Sequence, residues 1–196
     1  MQIDLKYGDS YKRLELDDKN LIGILELSKS SGISEVNITE MEALDHPIGS
    51  KKLSEIAKGK KSACVEVSDY TRGTPYKRSG YNLLLPILDE LHKGGIRDEN
   101  IVFLIGTGSH RAHTDKENMD NLGEEIIKNF RVTSHDCDKN NVSLGKLSTG
   151  NELLVDKVWV DADVRILTGL INTHYFGGFS GGRKGVLPGI SGRETI

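Results

Sequence analysis

Ile101-Val102-Phe103-Leu104-Ile105, followed at once by Gly106-Thr107-Gly108-Ser109-His110-Arg111, is the stretch on which the reading of the fold turns. Five apolar residues in a row do not alternate as a half-exposed strand would. They suit a strand covered on both faces, as in a parallel sheet clad by helices. Upstream, Tyr81 to His92 reads as a helix, with Leu84, Leu85, Leu88 and Leu91 at helical spacing, and before it Ala63-Cys64-Val65-Glu66-Val67 reads as a second strand. Lys51 to Lys58 is a further helix, with Leu53, Ile56 and Ala57 on one face. Downstream come a helical stretch from Lys116 to Phe130 broken near Gly123, a short strand Arg131-Val132-Thr133, a hairpin from Val142 to Leu154, and a helical turn from Asp156 to Val160. The strand Val164-Arg165-Ile166-Leu167-Thr168 closes the series. The opening, Gln2 to Leu27, alternates in short strands, and a loop-rich connection runs from there to His46-Pro47-Ile48-Gly49. Strands alternating with helices imply an α/β fold: a mostly parallel, doubly wound, Rossmann-like sheet with a short N-terminal β segment, residues 1–196 forming a single domain.

Composition narrows the function. A net charge of -3, with signs interspersed, leaves no basic face for nucleic acid. No apolar run approaches the roughly 20 residues that span a bilayer, so a membrane is not an expected partner. Met1-Gln2-Ile3-Asp4-Leu5-Lys6 is too charged for a signal peptide, and a cytoplasmic location is expected. Cys64 and Cys137 lack metal-ligand spacing. Cys64, inside an apolar strand, reads as a buried inert thiol, and no disulfide is expected.

Each main strand is followed by ionisable residues: Ser68-Asp69-Tyr70-Thr71-Arg72, then Thr107-Gly108-Ser109-His110-Arg111, then Asn172-Thr173-His174-Tyr175-Phe176. Ligands of open parallel sheets bind beyond the carboxyl ends of the strands, so Asp69, Arg72, His110 and His174 are expected to converge on one cleft. Blander roles compete: Asp69 as a turn cap, Arg72 as a solvated charge, a histidine as structural. At least one ring of Tyr175 and Phe176 is expected in the core. His92 and His135 are expected on the surface, and His113 in the wall of its loop.

Glycine clusters in Gly177-Gly178-Phe179-Ser180-Gly181-Gly182-Arg183-Lys184-Gly185-Val186-Leu187-Pro188-Gly189. The segment lacks the Lys-Ser/Thr pair of a phosphate-binding P-loop, and Gly106-Thr107-Gly108 does not extend to a dinucleotide fingerprint, because Arg111 stands where the third glycine belongs. Exposed backbone N–H groups beside Arg183 and Lys184 still suit an anion such as phosphate. A flexible linker is the plainer alternative.

At these motifs, and more weakly at Asp45-His46-Pro47-Ile48-Gly49, the sequence resembles the nickel-dependent lactate racemase family, most specifically from His174 to Gly189. The resemblance implies an isomerase, a racemase or epimerase of small 2-hydroxyacids. The chain would be the N-terminal α/β domain of a two-domain protein, inactive without the C-terminal domain that closes over the site. It implies a nickel-pincer nucleotide, a pyridinium mononucleotide holding nickel through two sulfur donors and one carbon donor. Lys184 would hold it covalently, with Gly177, Gly178, Ser180, Gly181, Gly182 and Arg183 forming its cradle. His110 and His174 would be the acid/base pair, Arg72 would bind the substrate carboxylate, and Asp69 would join the same network. The family's protein ligand to nickel, a histidine, is expected just after Ile196, so no metal ligand is assigned within the chain. Hydride removal to the ring, with one histidine taking the hydroxyl proton, leaves a flat keto acid that either face can recover.

Three positions depart from the family pattern: Gly73 and Ala112 where proline is common, and Gly185 where a small side chain is expected. The alternative reading is a non-catalytic nucleotide- or phosphate-binding module. Ser191 to Ile196 reads as the first residues of a helix.

Overall fold

The computed structural model describes residues 1–24, 36–74, 76–78 and 81–196, which fall into two units, Met1–Ser34 and Glu35–Ile196. In the first, β1 (Gln2–Tyr7) pairs antiparallel with β2 (Ser10–Glu15). Gly8 takes φ +60°, the left-handed conformation that a two-residue hairpin loop demands. Asp4 and Arg13 face each other across the pair, with Arg13 Nε 2.8 Å from Asp4 Oδ1. A 3₁₀ turn, Asp18–Asn20, follows. The remainder of the expected strand segment, residues 25–27, lies outside the described residues.

The second unit begins with α1 (Val36–Asp45), where the sequence suggested only a connection. The stretch lacks glycine and proline, so nothing prevents a helix, but it also lacks an apolar stripe to announce one. Then follow α2 (Leu53–Ala57), β3 (Ala63–Ser68), the two-residue strands β4 (Lys77–Arg78) and β5 (Tyr81–Asn82), and α3 (Leu85–Lys93). The third helix starts four residues later than its apolar spacing suggests. Tyr81 and Asn82 are drawn into β5, and Pro86 suits the first helical turn. Next come β6 (Ile101–Gly106), α4 (Asp115–Leu122) and α5 (Glu124–Asn129), split at Gly123 as expected. After them lie β7 (Arg131–Ser134), β8 (Asn141–Lys146), β9 (Glu152–Asp156), α6 (Lys157–Asp161), β10 (Val164–Leu167), β11 (Thr173–His174) and β12 (Gly178–Phe179). The chain ends in turns rather than a helix, with Ser191 bridged to Val155 and Thr195 bonded to Gly192.

Four strands form one parallel sheet in the order β10-β3-β6-β7. Both faces are covered, which is why the strands read as continuous apolar runs. Val65, Val67, Phe103 and Ile105 pack with Leu84, Leu88, Leu91, Leu122 and Ile126, all 3% exposed or less. On the other face Cys64 and Leu104 meet Val155, Trp159 and Ile190. Each such side chain contributes roughly 1.5–3 kcal/mol by leaving water. The α/β, mostly parallel sheet expected from the sequence is the architecture found. From β3 the chain winds through β6 to β7, then returns to place β10 on the far side of β3. Connections therefore diverge between β3 and β10, and at such a switch point a crevice opens beyond the strand ends. Among the described residues, no helix is long and apolar enough to cross a membrane.

Candidate functional site

That crevice exists. Glu66, Ser68 and Arg72 line it from β3 and its continuation, Gly106 to His110 from the end of β6, and Leu170 from beyond β10. Ser180, Gly181, Lys184, Gly185, Pro188 and Gly189 supply the wall formed by the glycine-rich segment.

Asp69, only 3% exposed, leads into a 3₁₀ turn, Tyr70–Arg72. Its Oδ1 accepts from Thr71 Oγ1 at 2.7 Å, and its Oδ2 lies 2.5 Å from His110 Nδ1. An ionised carboxylate only accepts, so Nδ1 carries the hydrogen and the lone pair is left on Nε2. Half of the His110 side chain remains exposed. The turn ends at Gly73, whose φ of +61° and whose N–H bond to Tyr70 O both exclude proline, so this departure from the family pattern has a local cause. His113 supports the turn from beneath, accepting from Tyr70 N at 3.0 Å. Arg72 is exposed at the cleft and forms no ion pair among the described residues.

His174 is the second partner. Its Nδ1 accepts from the backbone N–H groups of Phe176 and Gly177, each at 3.2 Å, which leaves Nε2 as the protonated nitrogen. Partial burial, and then the charges of Lys184 and Arg72, hold its imidazole below the ordinary histidine value. Burial and Arg72 likewise lower the Lys184 amine, against the opposing pull of Asp69. Of the four residues expected to converge, Arg72 and His110 line the cleft with Lys184, Asp69 joins it through His110, and His174 does not line it, although the charges of Lys184 and Arg72 reach its ring.

The glycine-rich segment folds as β11 and β12 followed by a 3₁₀ turn, Gly182–Gly185, that carries Lys184. Ser180 closes this hairpin, donating to Leu170 O at 2.7 Å and accepting from Asn172 N at 3.0 Å. Gly178, Gly181 and Gly182 have positive φ. Space beside Gly178 and Gly182 is open, so these two bend the chain without filling the cradle. Gly177, Gly178, Gly182 and Arg183 are exposed and do not line the cleft, whereas Ser180, Gly181 and Lys184 do. Tyr175 and Phe176 are 87% and 85% exposed, against the expectation that one ring would be core: their tight turn lies outside the sheet, where no layer covers it.

His135 corrects another expectation. It is 1% exposed, with Nδ1 2.8 Å from Asp156 Oδ2 and Nε2 2.9 Å from Ser191 O. The local charge of its short strand hid the fact that the segment ending at Ser191 covers it. Glu66 was the other residue missed; a carboxylate amid the apolar Ala63–Val67 strand was the available signal. Among the described residues no group of three or more His, Cys, Asp or Glu could hold a metal.

Fold and cleft together define a parallel α/β domain with a cleft at its switch point, lined by a histidine, an arginine and a lysine amine. The chain belongs to the lactate racemase N-terminal domain family, which its residues 7–196 match. It is 37% identical to the lactate racemase of Thermoanaerobacterium thermosaccharolyticum over 201 residues, covering 99% of this chain and 45% of that protein. It is also 37% identical over 199 residues to the lactate racemase of Lactiplantibacillus plantarum, covering 99% and 46%. The solved structure of the T. thermosaccharolyticum lactate racemase apoprotein superposes with a TM-score of 0.83, covering 100% of this chain and 45% of that one. The chain thus spans a little under half the length of these relatives.

Proposed function

We propose that this chain is the N-terminal half of a cytoplasmic 2-hydroxyacid racemase or epimerase of the lactate racemase type, completed by a second domain that closes over the cleft. The observation that carries the reading is the pair of histidines in opposite hydrogen-bonding states around Lys184. His110, backed by Asp69, offers an Nε2 lone pair, and His174 offers an Nε2–H. One removes the hydroxyl proton at C2 while the other stands ready to return a proton on the opposite face. Reversal of the roles runs the reaction backwards, as a racemase requires. Arg72 holds the substrate carboxylate, fixing C2 between them.

The residues present fit a nickel-pincer nucleotide: an amine of lowered basicity at Lys184 for the covalent link, and Ser180 and Gly181 beside it in the cleft wall to meet its polar groups. When bound, the group supplies reversible hydride acceptance from C2. The protein's own part is to orient the hydroxyacid, move the hydroxyl proton and keep water out. The exposed Tyr175 and Phe176 suit cover by that second domain. The free, buried Cys64 and Cys137 agree with a reducing compartment.

The test is intact-mass analysis of the complete protein matured with its cofactor. An adduct on the wild type, absent from Lys184→Ala, is expected, and its absence from the wild type refutes the assignment. Lactate turnover is expected in the complete protein and not in this chain alone. Ligand binding by the complete protein without turnover would mark a non-catalytic nucleotide-binding module instead.

A further inference from the structure

Glu66 sits where a charged residue is costly. It lies in the middle of β3, flanked in register by Leu104 and Leu167, and is 1% exposed. Its Oε2 is buried and has no hydrogen-bond partner among the described residues. Two glycines make room for it. A Cβ at Gly185 would come within 2.6 Å of Oε2, and one at Gly106 would strike Oε1. A side chain at 185 would therefore require the Glu66 carboxyl to move, and glycine there gives it room.

The carboxyl forms part of the same cleft as Lys184 and His110. Around it stand Asp69 and Arg72 beyond β3, Cys64 on β3, Tyr76, His110 beyond β6 and Lys184 in the glycine-rich turn. None of the cations among them lies within ion-pair distance, and Asp69 repels a second negative charge. Burial pushes the Glu66 carboxyl up to about 8, with only the Thr168 backbone N–H opposing. Such a carboxyl holds its proton at neutral pH, and its Oε2 meets no acceptor among the described residues. A buried polar group left unpaired is a cost that calls for an explanation, and completion by a ligand is one that its place in the cleft allows.

We propose that Glu66 is a ligand-binding residue whose carboxylic acid donates its hydrogen to an oxygen of an anionic group, phosphate or carboxylate, seated on the floor of the cleft beside Lys184. The proposal rests on the reading of this cleft as the site of an acidic pyridine nucleotide, and adds a neutral donor to its cations. Neutral carboxylic acids held in apolar sites serve this purpose in other proteins. The sign of the pH dependence follows. Binding needs the protonated form, so affinity holds below pH 8 and is lost as pH rises through that value.

Calorimetric titration of the purified chain with nicotinic acid mononucleotide, between pH 6.5 and about 9.5, tests this, with nicotinate and inorganic phosphate in parallel to tell which anion meets Glu66. For the wild type, loss of the donor predicts roughly tenfold weaker binding at pH 9 than at pH 7. Glu66→Gln keeps a donor that does not titrate. It is expected to bind as the wild type does at pH 7 and to lose the inflection near pH 8, retaining only what Lys184 contributes. Glu66→Ala is expected to bind at least about tenfold more weakly at pH 7. Identical pH profiles for wild type and Glu66→Gln, with binding intact, overturn the inference alone. Absence of binding by the wild type to all three probes overturns the anion-site reading with it. Infrared spectroscopy of the wild type needs no variant to fold. A protonated carboxyl band present at pH 7, lost by pH 9 and shifted by the mononucleotide supports the proposal, and its absence at pH 7 refutes it.

Discussion

Substitution of His135 by alanine is the sharpest test of how the cleft is held. The ring bridges Asp156 and Ser191 O, while its own backbone carbonyl accepts from Thr107 Oγ1 at 2.8 Å and its N–H donates to Ile105 O at 3.0 Å. Asp156 also caps α6, accepting from Val158 N at 2.9 Å, and Ser191 Oγ donates to Val186 O at 2.7 Å, just beyond the Lys184 turn. Alanine at 135 leaves a buried carboxylate with one remaining donor and a buried carbonyl with none. Orphaning two buried acceptors, at about 1–3 kcal/mol each and more for a charged one, costs about 3–5 kcal/mol in all. At 2–4 °C per kcal/mol for a chain of this size, the melting temperature should fall by about 6–20 °C. Asp156→Asn keeps the cap and an acceptor but not the charge, so it should cost less. Removal of both partners in His135→Ala/Asp156→Ala should cost less than the sum of the two alanine variants, with a coupling of about 2 kcal/mol or more. Scanning calorimetry and urea titration read these differences. Melting of His135→Ala within about 2 °C of the wild type would refute the reasoning.

Four further outcomes are expected. Lys184→Ala removes a like charge beside His174, so the imidazole should titrate closer to the ordinary histidine value by NMR; an unmoved or lowered midpoint contradicts the shared neighbourhood. Asp69→Asn should lower turnover of the complete protein by about 100-fold or more, since the amide can no longer hold the His110 Nδ1–H tautomer, and wild-type turnover would end that role. Gly73→Pro should destabilise by about 3 kcal/mol, because proline can neither reach φ +61° nor donate to Tyr70 O; an unchanged melt would count against the turn geometry. Burial pushes the Cys64 thiol up to about 12, so iodoacetamide at pH 8 should label it only after unfolding, and prompt labelling of the native protein would be the contrary result.

Why some features were legible and others not comes down to range. The buried strands announced themselves because a two-sided sheet demands continuous apolar runs, and Gly123 marked the break between α4 and α5 because glycine disrupts a helix locally. Helix α1 was missed because it lacks an apolar stripe, and the start of α3 was misplaced because Tyr81 and Asn82 follow a strand partner, not their own spacing. His135 looked solvated from its charged neighbours, yet Ser191, 56 residues away, buries it. The Tyr175–Phe176 pair looked like core from its hydrophobicity, but a turn outside the sheet has nothing to bury against.

From residue order alone came the parallel sheet, the strand-end location of the ionisable groups and the glycine-rich segment with its lysine, since all of these follow from local periodicity and from the rule for where parallel sheets bind ligands. Tertiary structure alone decided which nitrogen of His110 and of His174 carries the hydrogen, that Oε2 of Glu66 is buried without a partner among the described residues, and that Gly106 and Gly185 leave room for its carboxyl. Hydrogen-bond direction and burial depend on atoms brought together from distant parts of the chain, and no local pattern encodes them.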